Sequence, residues 1–133
     1  MSKSLLYVAN TATQSVPVGG NVNLGGIIRR FGCAPTLSGD SINVSESGYY
    51  DISVSVTAEP TAIGNVAITL LNNGVAVPGA TASGTVAATN TPVNLSFESV
   101  IRVFCGANTS ALTLVLSDTA SNVTNVAVVV KKV

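Results

Sequence analysis

The sequence predicts an all-β domain, a sandwich or barrel of about eight to ten antiparallel strands. Apolar residues recur at every second position along most of the chain, and no segment shows the 3.6-residue period of an amphipathic helix. Short groups of Gly, Asn, Ser and Pro separate the alternating segments, as turns separate neighbouring strands. The chain has 133 residues, which is enough for one domain with a substantial core.

The N-terminal segments predict short strands joined by glycine-rich bends. SLLYVANT begins with a strand, and residues 1–15 as a whole are either this first strand or an arm that docks elsewhere. In the next stretch, QSVPVGGNVNLGGIIRRFG, apolar side chains alternate at Val16, Val18, Val22 and Leu24. Its glycine pairs at 19–20 and 25–26 indicate bends or bulges, and a further short strand carries Ile42 and Val44.

The stretch GYYDISVSVTA is the clearest half-buried strand. One side carries the apolar residues Tyr50, Ile52, Val54, Val56 and Ala58. The other side carries mostly short hydroxyl side chains, in the series Tyr49, Asp51, Ser53, Ser55 and Thr57. This alternation predicts a strand that packs one face on the core.

The second half of the chain predicts a tight hairpin and three long strands. Asn72-Asn73-Gly74 supplies residues that readily adopt positive φ in the hairpin turn. ATASGTVAATN is predicted as a loop or an irregular edge, because small residues dominate it. The long strands are TPVNLSFESVIRVFCG, SALTLVLSD and NVTNVAVVVKKV. The last is apolar on both faces, which is typical of a central strand covered on both sides.

The composition indicates a protein whose apolar surface is covered by something else. Hydrophobic residues make up 47% of the chain and charged residues only 9%, against roughly 25% in ordinary soluble domains. A monomer with so few charges lacks the usual protection against association, so we expect copies of the chain or a host structure to cover it. The six basic and six acidic residues cancel. This argues against a nucleic-acid or membrane partner, because both require a concentrated positive field.

The N-terminus does not predict secretion or a membrane anchor. MSKSLLYVAN contains one lysine and a four-residue apolar run, which is shorter than the roughly 7–15 residues of a secretory signal. No apolar run approaches the roughly 20 residues of a membrane span. We therefore expect synthesis in the cytoplasm without an export signal, followed by lysis or another route of release.

The ionisable residues do not predict an enzyme or a cofactor site. The chain has no histidine, which excludes Ser-His-Asp and Cys-His catalysis and most zinc sites. Five carboxylates are expected in turns or on polar strand faces: Asp40, Glu46, Asp118, Asp51 and Glu98. A calcium site would need clustered carboxylates, and a sugar-cleaving cleft would need aromatic platforms, and the sequence indicates neither.

The two cysteines and the two basic pairs allow alternative interpretations. Cys33 and Cys105 are expected as buried, reduced thiols, because a disulfide is disfavoured in a cytoplasmic protein. Each basic pair either protects a strand edge from association or docks on an acidic surface of a larger assembly. Adjacent side chains alternate on a strand, so one member of a pair can face a given partner. The candidate docking residues are Arg29, Arg30, Lys131 and Lys132.

Four segments in a fixed order carry a family resemblance. They are VANTATQSVPVGGNVNL, INVSESGYYDISVSV with its Gly48-x-Tyr50 element, ITLLNNGVAVPGAT and the terminal VAVVVKKV. In this order they resemble the compact jelly-roll domain of the C1q and tumour-necrosis-factor superfamily. The resemblance is to its bacterial and phage branch, which includes the C-terminal domains of spore-surface collagen-like proteins. The chain departs from that branch in having no Gly-X-Y stalk and few aromatic residues.

The resemblance implies a single jelly-roll domain over residues 1–133 that forms a homotrimer around a threefold axis. The candidate packing residues are Tyr49 and three valines of the last strand, Val126, Val128 and Val130. Together with the low content of charged residues, the resemblance suggests a non-enzymatic bacteriophage capsid decoration or head-fibre protein. Such a protein would be located on the virion and bound to a larger assembly such as a major capsid protein. The alternatives are a trimeric receptor- or glycan-binding head with contacts from loops such as Ala80–Thr91, and a protein of the spore or cell surface.

Overall fold

The computed structural model describes residues 4–32, 35–103 and 110–133, which form two antiparallel β-sheets. Sheet A has six strands, β1 (Leu5–Asn10), β2 (Gln14–Val16), β3 (Gly26–Phe31), β6 (Gly48–Pro60), β9 (Val93–Val103) and β11 (Ser121–Lys132). Sheet B has five strands, β4 (Pro35–Ser38), β5 (Ser41–Val44), β7 (Gly64–Asn72), β8 (Val75–Val86) and β10 (Ser110–Ser117). The described residues contain no helix, and so no helix that could cross a membrane. The all-β prediction is confirmed.

The strand order is that of a jelly roll. Sheet A runs β3-β1-β11-β6-β9, with β2 also paired to β11, and sheet B runs β4-β5-β10-β7-β8. Most neighbours are distant in sequence, so the chain passes repeatedly between the two sheets. β11 lies between β1 and β6, which confirms that the last strand is central. The described residues contain eleven strands, more than the predicted eight to ten, in part because β4 has only four residues, too few to show alternation.

The core lies between the sheets and consists of their inward-facing aliphatic side chains. Sheet A contributes alternate residues of β6 and β11, including Ile52, Val54, Val56, Val126, Val128 and Val130. Sheet B contributes three leucines of β10, Leu112, Leu114 and Leu116. Residues between these positions are more exposed, so the alternation leaves one side of each sheet pointing outward.

The segment between β2 and β3 crosses from sheet A to sheet B and closes one end of the sandwich. After β2 pairs with β11, the Gly19 N–H donates to the Leu116 carbonyl (2.8 Å) and the Val22 N–H to the Leu114 carbonyl (2.9 Å). Val22 is buried, as its place in the alternation predicts, whereas Val18 is exposed because it lies in the crossing itself. β1 is built into sheet A between β3 and β11, so residues 5–10 are a strand rather than an arm.

β7 and β8 form the predicted hairpin. Asn73 and Gly74 have φ angles of 53° and 84°, which match the two positive-φ positions of a tight hairpin turn. β8 extends to Val86, so most of ATASGTVAATN is the edge strand of sheet B rather than a loop. Pairing with β7 overrides the weak strand preference of its Ala, Ser and Gly residues.

Candidate functional site: the outward face of sheet A

The candidate site is the outward face of sheet A, which we name face A. It is made of the side chains that alternate with the buried ones on β1, β11, β6 and β9. Cross-strand register fixes which of them lie side by side. The members of face A are Leu5, Tyr7, Ala9, Ala127, Val129, Lys131, Tyr49, Asp51, Ser53, Ser55, Thr57, Asn94, Ser96, Glu98, Val100 and Arg102.

The centre of face A is small and largely uncharged. One row across the sheet reads Ala9, Ala127, Ser55 and Ser96, and the next reads Tyr7, Val129, Ser53 and Glu98. The Ser53 hydroxyl donates to a Glu98 carboxylate oxygen at 3.2 Å. Side chains this short leave the backbone of the sheet open to close approach by another surface.

A charged pair lies near one end of face A. The Lys131 ammonium is 3.8 Å from one carboxylate oxygen of Asp51, and the Asp51 side chain is only 18% exposed. The other carboxylate oxygen of Asp51 is buried and has no hydrogen-bond partner among the described residues. A buried acceptor without a donor is unusual in a native fold, so this carboxylate is the least satisfied polar group of face A.

Of the four predicted packing residues, one lies on face A. Tyr49 is 53% exposed, and the Arg102 guanidinium is 5.7 Å from the centre of its ring. Val126, Val128 and Val130 are fully buried in the sandwich core, so their predicted contact with another copy is wrong. A strand that is apolar on both sides does not reveal which side faces the second sheet. In β11 the outward apolar residues are Ala127 and Val129.

The two terminal lysines have different surroundings. Lys131 lies on face A, where its side chain is 57% exposed. The Lys132 side chain is 11% exposed, and its ammonium pairs with the Glu46 carboxylate. Lys132 is therefore not a free docking residue, because its charge is already matched within the chain. The predicted alternation of the pair is correct.

Arg29 and Arg30 lie on β3, the edge strand of sheet A. Arg29 is opposite Tyr7 and so lies on the side of face A, whereas Arg30 is opposite the buried Leu6 and lies on the other side. Both arginines are exposed. The structure thus places them at one edge and aims them to opposite sides.

A polar corner around Glu46, which the sequence did not predict, connects the start of β6 to the end of β11. The Tyr50 hydroxyl donates to the Glu46 carbonyl at 2.6 Å. Burial first, and then the negative charge of Glu46, raise the pKa of the Tyr50 phenol above its ordinary value of 10.0. Gly48 has a φ of 143°, and a Cβ there would lie 2.8 Å from Cε of Lys132. This close approach gives a physical reason for the glycine of the Gly-x-Tyr element. The local sequence does not indicate it, because Lys132 is 86 residues from Glu46, the residue with which it pairs.

A groove lies where the edge strands β8 and β9 meet. It encloses about 280 Å³ and is lined by Asn72, Val75, Ala76, Val77, Pro78, Val100, Ile101 and Arg102. The Asn72 side-chain oxygen is buried and has no hydrogen-bond partner among the described residues. The groove therefore combines apolar walls with an unsatisfied acceptor and an arginine.

Other predicted residues do not add to a site. Cys33 and Cys105 lie outside the described residues. Within the part of the chain that the structure describes, no three carboxylate or thiol side chains come together as a metal site would require.

Comparison with solved structures identifies proteins that share this fold. Murine APRIL superposes with a TM-score of 0.73 at 13% identity, over 99% of this chain and 100% of that one. The globular domain of the zebrafish complement 1qA protein gives 0.70 at 10% identity, over 96% and 94%. The PRD1 vertex protein P5 gives 0.62 at 13% identity, over 97% and 95%. No protein-family model and no curated protein sequence matches the chain. At these identities the likeness establishes the C1q/tumour-necrosis-factor-like jelly-roll fold.

Proposed function

We propose that the protein is a non-enzymatic structural protein that forms a homotrimer through face A and is displayed on a particle, as a bacteriophage capsid decoration or head-fibre protein. Face A carries this proposal. It is the outward side of sheet A, its centre is made mostly of short, uncharged side chains, and no described strand of the chain packs on it.

The residues of face A explain how a trimer would be held. Burial of Leu5, Tyr7 and Val129 would supply the hydrophobic free energy, roughly 25 cal/mol per Å² of apolar surface. The serines of β6 would allow close packing, because short side chains lose little rotamer entropy when they are ordered.

Two observations support a place on a particle. The fold is shared with the PRD1 vertex protein P5, a protein of an assembly vertex by its name. The low charge of the chain suits a subunit whose surface is partly covered by a host structure. The phage branch of the resemblance and the capsid partner are parts of this proposal. A gene located among capsid genes would support them. A gene located among spore-coat genes would instead indicate that the same trimer is displayed on a spore surface.

The groove between β8 and β9 favours a second function, a trimeric head that binds a receptor or glycan. The exposed Arg102 guanidinium offers a cation and hydrogen-bond donors beside apolar walls. A glycan array separates the two functions. Specific binding that is lost in Arg102→Ala would favour the head, and no binding would favour decoration.

The trimer is tested by the solution mass of the purified chain. Light scattering at micromolar concentration should give about 40 kDa, three times the chain mass of 13.3 kDa. A stable mass of one chain would rule out assembly through face A.

A matched pair of variants locates the interface. Val129 lies on face A, and Val115 lies on the outward side of sheet B, and both are half-buried. Val129→Lys should reduce the trimer to monomers, because three ammonium groups would be buried around the axis. Val115→Lys should leave the mass unchanged. The opposite result would move the interface to sheet B.

A further inference from the structure

The edge strand β3, with the sequence GIIRRF, differs from every other described strand in its exposure. All six of its side chains are exposed, on both sides of the strand. Three of them are large and apolar, with Ile27 44%, Ile28 47% and Phe31 64% exposed. The strand pairs with β1 along one edge, and none of the described strands pairs with its other edge.

Protection of the edge is the simplest explanation of β3, and it is insufficient. Charged side chains and bulges do discourage edge-to-edge association. β3 has both, since Arg29 and Arg30 are charged and the register with β1 shifts at Ile28. A strand selected only for protection would not also expose three large apolar side chains, because these favour association.

The charge of β3 is unmatched within the chain. All six acidic residues of the sequence lie in the described part of the chain, and none forms an ion pair with Arg29 or Arg30. The hydrogen bond recorded for these side chains runs from the Arg29 guanidinium to the Ile28 carbonyl at 3.1 Å, within β3 itself. The strand therefore presents two positive charges among apolar groups and an open backbone edge.

We propose that β3 is a docking strand that takes an extended, acidic segment of a partner protein as an added strand of sheet A. The partner's backbone would pair with the free edge, and two adjacent carboxylates, which a strand points to opposite sides, would pair with Arg29 and Arg30. Apolar side chains before and after this acidic pair would cover Ile27 and Phe31, which also lie on opposite sides of β3. The inference rests on the proposed particle role in that it names the means of attachment, but it does not depend on the trimer.

The test is the binding of a labelled peptide, Thr-Val-Val-Glu-Glu-Val-Val-Thr, to the full chain, followed by fluorescence anisotropy. Two control peptides separate the contributions. Replacing both Glu by Lys reverses the charge, and replacing the Val that follows the acidic pair by Pro removes a backbone donor while keeping the charge. The double variant Arg29→Glu/Arg30→Glu tests the site, and each single variant gives the effect of one charge reversal. Arg102→Glu, at the opposite edge strand of the same sheet, is the matched control for a single reversal.

The proposal predicts saturable binding that weakens by about tenfold or more in the double variant and by less than about twofold in Arg102→Glu. Both control peptides should bind at least about tenfold more weakly. Absence of binding would overturn the proposal. Equal binding of the proline peptide and the test peptide would also overturn it, because binding would then depend on charge attraction alone. The same holds if Arg102→Glu weakens binding as much as the double variant does.

The same samples distinguish this proposal from the trimer. A double variant that loses the wild-type mass would place β3 inside the subunit interface and overturn docking. A wild-type monomer that still binds the acidic peptide through Arg29 and Arg30 would sustain docking while the trimer fails.

Discussion

The hydroxyl of Tyr50 should make a measurable contribution to stability through a single hydrogen bond. It donates to the Glu46 carbonyl at 2.6 Å, and the Tyr50 side chain is fully buried. Tyr50→Phe keeps the ring in the core and removes only this donor. The perturbation therefore isolates the polar corner from the packing of β6.

The expected loss is about 1–2 kcal/mol, the usual range when a partly buried acceptor loses its donor. Ser45 and Ser47 on either side of Glu46 are exposed, so water can reach the turn and keep the loss within this range. Unfolding entropy is about 2.1 cal/mol/K per residue, which gives about 0.28 kcal/mol/K for a chain of this length. The melting temperature should therefore fall by about 4–7 °C.

Thermal unfolding followed by circular dichroism tests this value against Tyr49→Phe. The Tyr49 side chain lies on face A and is half exposed, so loss of its hydroxyl should change stability by less than about 0.5 kcal/mol. Both variants should be compared at equal protein concentration, because assembly makes the melting temperature concentration-dependent. Equal shifts in the two variants would show that the Glu46 bond does not stabilise the fold.

The same corner gives three further predictions. Gly48→Ala should destabilise the fold by about 2–4 kcal/mol, because it combines an unfavourable φ with the contact to Lys132. In denaturant titration Gly39→Ala, where φ is 59° and the space around the residue is open, should cost only about 1 kcal/mol. Equal costs for the two variants would exclude the contact to Lys132 as a cause. Glu46→Gln should destabilise more than Lys132→Met, because Lys132 is the more buried partner of the pair, and the reverse order by the same titration would contradict this. Because the raised pKa of the Tyr50 phenol keeps its proton bound in the folded state, the free energy of unfolding should fall as pH rises above about 10. The denaturant midpoint should fall less with pH in Tyr50→Phe than in the wild type. Equal pH dependence of the midpoint in the two proteins would refute the linkage.

Strand positions were accessible from the sequence because alternation is a local property. The strand starting at Tyr49 and the turn at Asn73 follow from neighbouring residues, and the structure confirms both. The short strand β4 was missed, since its pairing depends on β5 rather than on its own pattern.

The site could be predicted only in part, because its contacts are distant in sequence. Tyr49 was placed correctly on an outward face. In β11 the wrong side was chosen, because Val128 and Val129 are chemically the same and only the position of sheet B distinguishes them. The pairing of Lys132 with Glu46 joins the two ends of the fold, and no local pattern indicates it.

The hydroxyl side chains of β6 connect the low charge of the chain to its proposed assembly. Ser53, Ser55 and Thr57 lie on face A beside Ala127 and Val129, and not on a side of the fold remote from the apolar residues. A face that is wet in the free subunit and covered in a trimer cannot carry many Lys or Glu side chains, because each would lose hydration on assembly. Serine and threonine satisfy both conditions, since their hydroxyls hydrogen-bond to water before assembly and to neighbouring groups after it. A new charge at the centre of this face, as in Val129→Lys, should therefore lower the solution mass, and the same change at Val115 on sheet B should not.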